Sequence, residues 1–384
     1  MVQTRKLDMS TSFIVRAIAL LFAVSTTSIA LSLAQDTLAA SAQGPATKRD
    51  LRDVIGVTHV AGKYHLTDKD CLSEGADQIL ALGSRVIKLY LTLPPERNYP
   101  FNSQWPKVRT LVELANTPYY RSVFEKPFTT YILTTYSAGR PNHYWKDGVT
   151  DEQACDEEEQ FYRLARHLLT TYRASGKTFV LQHWEGDWAI RGSFDRKADP
   201  TPQAIAGMVR WLGARQKGVD RARAAAHEPG VRVFHAAEVN LVKIGMNDGR
   251  PTVTHKVLPQ TRVDLVSYSA WDTEGDPALL RKALDYIARH VPDREPFGGR
   301  NVYLGEFGLP ENDFPLPRVQ QTVRGAMQTA LDWGCPYVVY WQLYCNEPRR
   351  QPVKTNADVR GFWLLRPDGS KAWLWQELHD MLKR

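Results

Sequence analysis

Asn301-Val302-Tyr303-Leu304-Gly305-Glu306-Phe307-Gly308-Leu309-Pro310 is the stretch from which the rest of the chain can be read. A short β-prone run ends in a carboxylate held between two glycines. This is how a buried parallel strand delivers one charged side chain to the rim of a barrel. Glu306 is therefore a catalytic candidate, against the plainer alternative of a structural salt bridge at a strand end.

Similar strand ends recur along the chain. β-Branched and aromatic content predicts strands over 54–57, 85–90, 129–135, 178–183, 231–237, 263–268, 302–304 and 337–341. Between them helices are predicted over 72–82, 108–115 and 157–172, after Pro202, and over 277–290, 318–333 and 372–382. In the third of these, Phe161, Leu164, Ala165, Leu168 and Tyr172 fall at helical spacing and form a core stripe. The connection from the fifth strand to the sixth is rich in Gly and Pro and has the weakest helical signal. Roughly eight strand–helix repeats predict a (β/α)8 TIM barrel with its active site at the C-terminal ends of the strands. A doubly wound open sheet would want a Gly-rich phosphate loop after an early strand, and Gly56 and Gly62 do not make one.

With 384 residues, 43% hydrophobic and 24% charged, the chain can bury a large core. Its first part reads as a signal peptide. Arg5, Lys6 and Arg16 precede an apolar stretch over 17–34, with candidate cleavage sites at Ser32-Leu33-Ala34 and Ala40-Ser41-Ala42. The alternative is an uncleaved anchor, although Ser25, Thr26, Thr27 and Ser28 interrupt the stretch. The expected organisation is a signal peptide and cleavage region over 1–42 and a single barrel domain over 43–384, secreted or periplasmic, without stable membrane association once cleaved. The formal charge of +7 becomes +5 after a cut at Ala34 and +6 after a cut at Ala42. Such a mild excess, with no basic stripe interleaved with aromatics, excludes nucleic acid as a partner.

Cys71, Cys155, Cys335 and Cys345 lack the spacing of a zinc site, and export permits disulfides. Cys335 and Cys345 bracket a strand and lie roughly 30 Å apart if it is extended. Cys71 with Cys155 is the pair to test, with free thiols as the alternative.

The chemistry belongs where strands stop. Glu185 ends the fourth strand and Glu306 the seventh, and in a closed barrel these rims face each other. Two opposed carboxylates suit glycoside hydrolysis, in which one donates a proton to the leaving oxygen and the other attacks or activates water. Glu238 and Asn240, two residues apart at the end of the fifth strand, point to one face.

Leu304-Gly305-Glu306-Phe307-Gly308, Tyr340-Trp341-Gln342-Leu343, Val263-Asp264-Leu265-Val266-Ser267-Tyr268 and the tail from Gly361-Phe362 to Pro367-Asp368-Gly369-Ser370 resemble clan A of the glycoside hydrolases, especially its cellulase-like members. By strand order the resemblance covers most of the chain after the signal peptide. It implies a retaining mechanism, with Glu306 as nucleophile, Glu185 as acid/base, Trp341 as the aromatic floor of the sugar subsite and Tyr268 as a hydrogen-bond partner of the nucleophile. The clan usually carries Asn immediately before the acid/base. Here that residue is Trp184, which leaves Glu238 or Asp187 as alternative acids.

Trp184, Trp188, Tyr144, Trp145, Trp271, Trp341 and Tyr344 lie in or beside the rim loops, where flat rings suit the apolar faces of sugars. His65, Lys88, His183, Gln342 and Asn346 are candidates to bond hydroxyls. No short metal-ligand motif joins His59, His65, His143 and His183, and no Gly-x-Ser-x-Gly elbow is present. The sequence thus predicts a glycosidase with a carbohydrate substrate and neither metal nor organic cofactor; the alternative is a barrel that binds glycans without cleaving them.

Overall fold

The computed structural model describes residues 49–293 and 297–383, so the expected signal peptide lies outside the described residues. Eight parallel strands close in sequence order: β1 (Ile55–Thr58), β2 (Val86–Leu91), β3 (Thr130–Thr135), β4 (Lys177–Gln182), β5 (Val231–Val239), β6 (Leu265–Ser269), β7 (Val302–Glu306) and β8 (Val338–Tyr340). Closure is made by β1 against β8, with Gly56 opposite Val339. This is the expected (β/α)8 barrel.

The helices are α1 (Cys71–Leu82), α2 (Leu111–Ala115), α3 (Pro118–Glu125), α4 (Asp151–Thr171), α5 (Gly186–Arg191), α6 (Pro202–Ala226), α7 (Val242–Asp248), α8 (Pro277–His290), α9 (Leu316–Trp333) and α10 (Trp373–Leu382). Local chemistry sets their ends. α4 starts six residues before the expected position because Thr150 and Gln153 form a reciprocal capping box ahead of its polar first turns. Thr117 caps α3 and Pro118 occupies its first turn, so the expected single helix is two. The irregular β5–β6 connection holds the short α7 followed by a π-helical turn and a 3-10 turn. Among the described residues no helix is long and apolar enough to cross a membrane.

Val86, Ile132, Val180, Phe234, Leu265, Tyr303, Tyr337 and Val339 belong to an apolar cluster inside the barrel. A larger cluster fills the space between strands and helices. Inward-facing positions two residues further along carry Lys88, Gln182 and Ser267, and Glu238 follows Ala236 in the same way, so the interior turns polar toward the C-terminal rim.

The expected Cys71–Cys155 bridge does not form, and both are free thiols. Cys71 is buried at the start of α1, whereas Cys155 is exposed on α4.

Candidate active site

Glu306 reaches the mouth through a local irregularity. Leu304 and Tyr268 are paired, as are Glu306 and Ser269, so Gly305 is an extra residue in β7. A side chain at Gly305 would begin 1.9 Å from Ser267 Oγ, which explains the glycine. The bulge re-aims Glu306 into the barrel, where its Oε1 accepts from Lys88 Nζ at 2.8 Å and Trp184 Nε1 at 3.0 Å. Among the described residues its Oε2 accepts only the longer bond from Trp271 Nε1, 3.4 Å. Each of these hydrogen-bond partners is a donor, as a carboxylate requires.

Glu185 stands just beyond β4 in the left-handed region, at φ 60° and ψ 45°. For a residue with a side chain this costs on the order of 1–2 kcal/mol, and such strain persists only where surrounding bonds hold it. Here Glu185 N donates to Glu238 Oε1 at 2.8 Å. The preceding residue is fixed as well: the Tyr136 hydroxyl accepts from Trp184 N and donates to Trp184 O. Gly186 allows the turn to pass close to β5, because a Cβ there would lie 2.1 Å from the Glu238 carbonyl. Burial, reinforced by the charges of Glu306 and Glu238, pushes the Glu185 carboxyl up to about 9. Its Oε2 is buried and has no hydrogen-bond partner among the described residues.

Glu238 lies wholly inside. Its Oε1 takes the Glu185 N–H, while Oε2 accepts from Gln182 Nε2 at 2.8 Å and Ser267 Oγ at 3.3 Å and lies 3.6 Å from Lys88 Nζ. Tyr303 donates its hydroxyl to Gln182 Oε1, which orients the amide toward Glu238. Burial raises the Glu238 carboxyl and Lys88 opposes that rise. Lys88, itself buried, also donates to the Gly305 carbonyl at 3.2 Å. Burial pulls its ammonium down, but Glu306 and Glu238 outweigh it and its pKa is raised. Its hydrogens are committed to this cluster, in place of the expected sugar hydroxyls.

Several other expectations change. Tyr268 faces the helical layer, and its hydroxyl meets Asp272 Oδ1 at 2.5 Å and Thr273 Oγ1 at 2.6 Å instead of Glu306. His183 also turns outward. Its Nε2 accepts from Glu238 N at 3.0 Å, and burial pushes its imidazole down to about 3, so it braces β5 as a neutral ring rather than meeting a sugar. Asp187 is buried and accepts from the backbone of Asn240, Leu241 and Val253, which leaves it no role as an acid. Asn240 is drawn into the same knot, its Oδ1 accepting from Asp187 N. Gln342 is buried. In the amide orientation that satisfies both ends, its nitrogen donates to the Val60 carbonyl and its oxygen accepts from Asn346 N. Two aromatics expected at the rim are core residues: Trp145 stacks on Trp211, and Tyr344 packs on His59 and bonds Glu74.

Trp184, Trp271, Trp341 and Glu185 gather around Glu306 at the mouth, with Tyr90 beside Trp184. The indoles of Trp184 and Trp341 are parallel within 8°, their centroids 6.5 Å apart. Sequence reasoning missed the Trp184 and Trp271 donors to Glu306 and the grip of Tyr136 on Trp184. Position alone pointed to Tyr136, which immediately follows β3. A cavity of about 830 Å³ lies elsewhere, lined by α2 and α4 residues including Glu113, Asp156 and Arg163, and touches none of these carboxylates.

A closed parallel barrel presenting carboxylates at its C-terminal rim defines the fold class. No protein-family model and no curated protein matches the sequence. Solved structures do match in fold. An exo-β-1,4-mannosidase from Opitutaceae bacterium strain TAV5 superposes with a TM-score of 0.56 at 12% identity, over 89% of this chain and 61% of that one. A family 5 glycoside hydrolase from Bifidobacterium longum, in complex with Manβ1-4GlcNAc, gives 0.53 at 13% identity, over 86% and 78%. A family 5 lichenase from Caldicellulosiruptor sp. F32 gives 0.51 at 10% identity, over 89% and 96%. The chain therefore shares the TIM-barrel fold of clan A, cellulase-like glycoside hydrolases.

Proposed function

We propose that the chain is a retaining glycoside hydrolase acting on an oligo- or polysaccharide, with Glu306 as nucleophile and Glu185 as acid/base. The observation that carries this reading is the contrast between the two carboxyls. Glu306 is hydrogen-bonded by donors and a cation, whereas Glu185 is half-buried beside negative charge, with a buried oxygen unpartnered among the described residues. Environments that separate two carboxyls in this way assign one as base or nucleophile and the other as acid.

In the first step Glu306 Oε2, the oxygen with the weaker partner, attacks the anomeric carbon. The bond from that carbon to the leaving oxygen breaks, its electron pair stays on the oxygen, and the oxygen takes the proton of Glu185. In the second step Glu185 removes a proton from water, and the water oxygen attacks the same carbon and releases Glu306 as a carboxylate. Lys88 and the two indole N–H groups compensate Glu306 whenever it carries charge. Trp341 and Trp184 offer apolar faces to the sugar ring. Glu238 is a poorer acid than Glu185 because it is completely enclosed and both its oxygens are bonded.

The activities of the structural neighbours direct the first screen to β-1,4-mannosides and β-glucans, together with aryl β-glycosides. NMR of the first-formed product tests the mechanism. Product with the substrate's anomeric configuration is expected. Inverted product, or turnover that persists in Glu306→Gln, would remove the assignment.

A further inference from the structure

Glu238 accepts three hydrogen bonds and also lies 3.6 Å from Lys88 Nζ, and both catalytic candidates are reached through these contacts. One oxygen holds the N–H of Glu185, while the other gathers Gln182 of β4, Ser267 of β6 and Lys88 of β2, and Lys88 in turn grips Glu306 of β7. The Glu185 backbone lies in a region that L-residues avoid, so something must hold it there. His183 Nε2 fixes the Glu238 backbone from the other side.

We propose that Glu238 is a positioning residue, which clamps Glu185 in its left-handed conformation by accepting its N–H and shares Lys88 with Glu306, so that one buried carboxylate sets the two reacting carboxyls relative to each other. The inference rests on the hydrolase reading for its kinetic consequences, but its structural consequence is independent of activity. Glu238 contacts no substrate in this role and transfers no proton.

The charged and titratable groups facing Glu185 are Glu306 from β7, Glu238 from β5, Lys88 from β2, Tyr90 from β2, Tyr136 after β3 and Asp187 on its own helix. Replacing Glu238 by Gln removes one negative charge from this set and keeps an oxygen able to accept the Glu185 N–H. Replacing it by Ala removes both the charge and the acceptor.

The experiment compares wild type, Glu238→Gln and Glu238→Ala by kinetics and crystallography, after wild-type activity has been established on the β-glycoside panel. On substrates with poor leaving groups, kcat should fall about 10²-fold in Glu238→Ala with KM within about threefold, since the loss is in proton delivery. Glu238→Gln should recover at least about tenfold of that loss, with the alkaline limb of its pH profile below the wild-type limb. In crystals, Glu185 should leave the left-handed region in Glu238→Ala and stay there in Glu238→Gln.

Glu185 keeping its backbone conformation in Glu238→Ala overturns the proposal, as does an unmoved alkaline limb in Glu238→Gln. Restoration of Glu238→Ala turnover by azide, with a glycosyl azide as product, would instead make Glu238 the acid/base itself and equally sink the idea. If the wild-type protein cleaves nothing, the hydrolase reading fails while the crystallographic arm still decides the clamp. If Glu238→Ala does not fold, the backbone and pH limb of Glu238→Gln decide it.

Discussion

Two buried charge clusters differ in their balance. Behind β3, Arg215 and Glu157 are both fully buried and paired at 2.7 Å, and Glu157 also accepts from Ser137 and Tyr144. The Arg215 guanidinium lies over the Trp211 and Phe161 rings as well. One cation meets one anion there, and the cluster is electrically closed. In the mouth, Lys88 serves Glu306 and Glu238 while Glu185 stands beside them, so three carboxyls share one ammonium. Such an excess cannot be fully ionised at little cost, and the proton settles on the group with the fewest donors. The balanced cluster holds the fold; the unbalanced one keeps a proton available.

The sharpest test removes the anion that the mouth is built to hold. Glu306→Gln should lower kcat by about 10⁴-fold or more, because the proposed nucleophile is gone while the fold remains. The balanced cluster should respond in the opposite sense. Glu157→Gln leaves Arg215 buried without its counter-charge and should cost about 3–5 kcal/mol of unfolding free energy, with turnover per folded molecule little changed. Denaturant titration alongside active-site-normalised kinetics checks both. If the Glu157 variant lost activity and kept its stability, the distinction between the clusters would collapse.

The same contrast has a pH signature. As the proposed proton donor, Glu185 must be protonated, so activity should be lost as pH rises through about 9. The effect on stability has the same direction. A buried carboxyl raised from an unfolded value of 4.5 binds its proton in the folded state while the unfolded chain has already lost it. Stability therefore declines as pH rises from about 4.5 to about 9. Glu185→Gln should make that decline shallower and leave the share of Glu238 and Glu274, which burial also raises, as measured by melting temperature against pH, while Glu157→Gln should leave it in place.

Much of this arrangement was legible in the sequence. All eight strands were visible from β-branched runs, with ends displaced by a residue or two, and the placement of Glu185 and Glu306 at the rim was legible because each stands where a strand stops. Phase was harder to read. Strands buried on both faces lack the alternation that tells inside from outside. Tyr268 and His183 accordingly point toward the helices, one residue out of step with Ser267 and Gln182. Simple alternation would also have sent Glu306 outward with Leu304; the bulge at Gly305 reversed it, and no local pattern announces a bulge. Lys88 was legible only as a candidate for sugar hydroxyls, because its partners come from β5 and β7, far away in sequence.

The smallest expected effect separates backbone from side chain at Glu185. Its left-handed conformation is strained for any residue with a Cβ, and glycine adopts it without penalty. Glu185→Ala removes the buried carboxyl but keeps the strain, whereas Glu185→Gly removes both. Both variants should lose acid catalysis to the same extent, about 10²- to 10⁴-fold on poor leaving groups. In stability they should part, with Gly more stable than Ala by about 1 kcal/mol after the extra freedom of glycine in the unfolded chain is deducted. A glycine variant no more stable than the alanine variant would mean that the left-handed turn carries no strain, and the clamp by Glu238 would have nothing to hold.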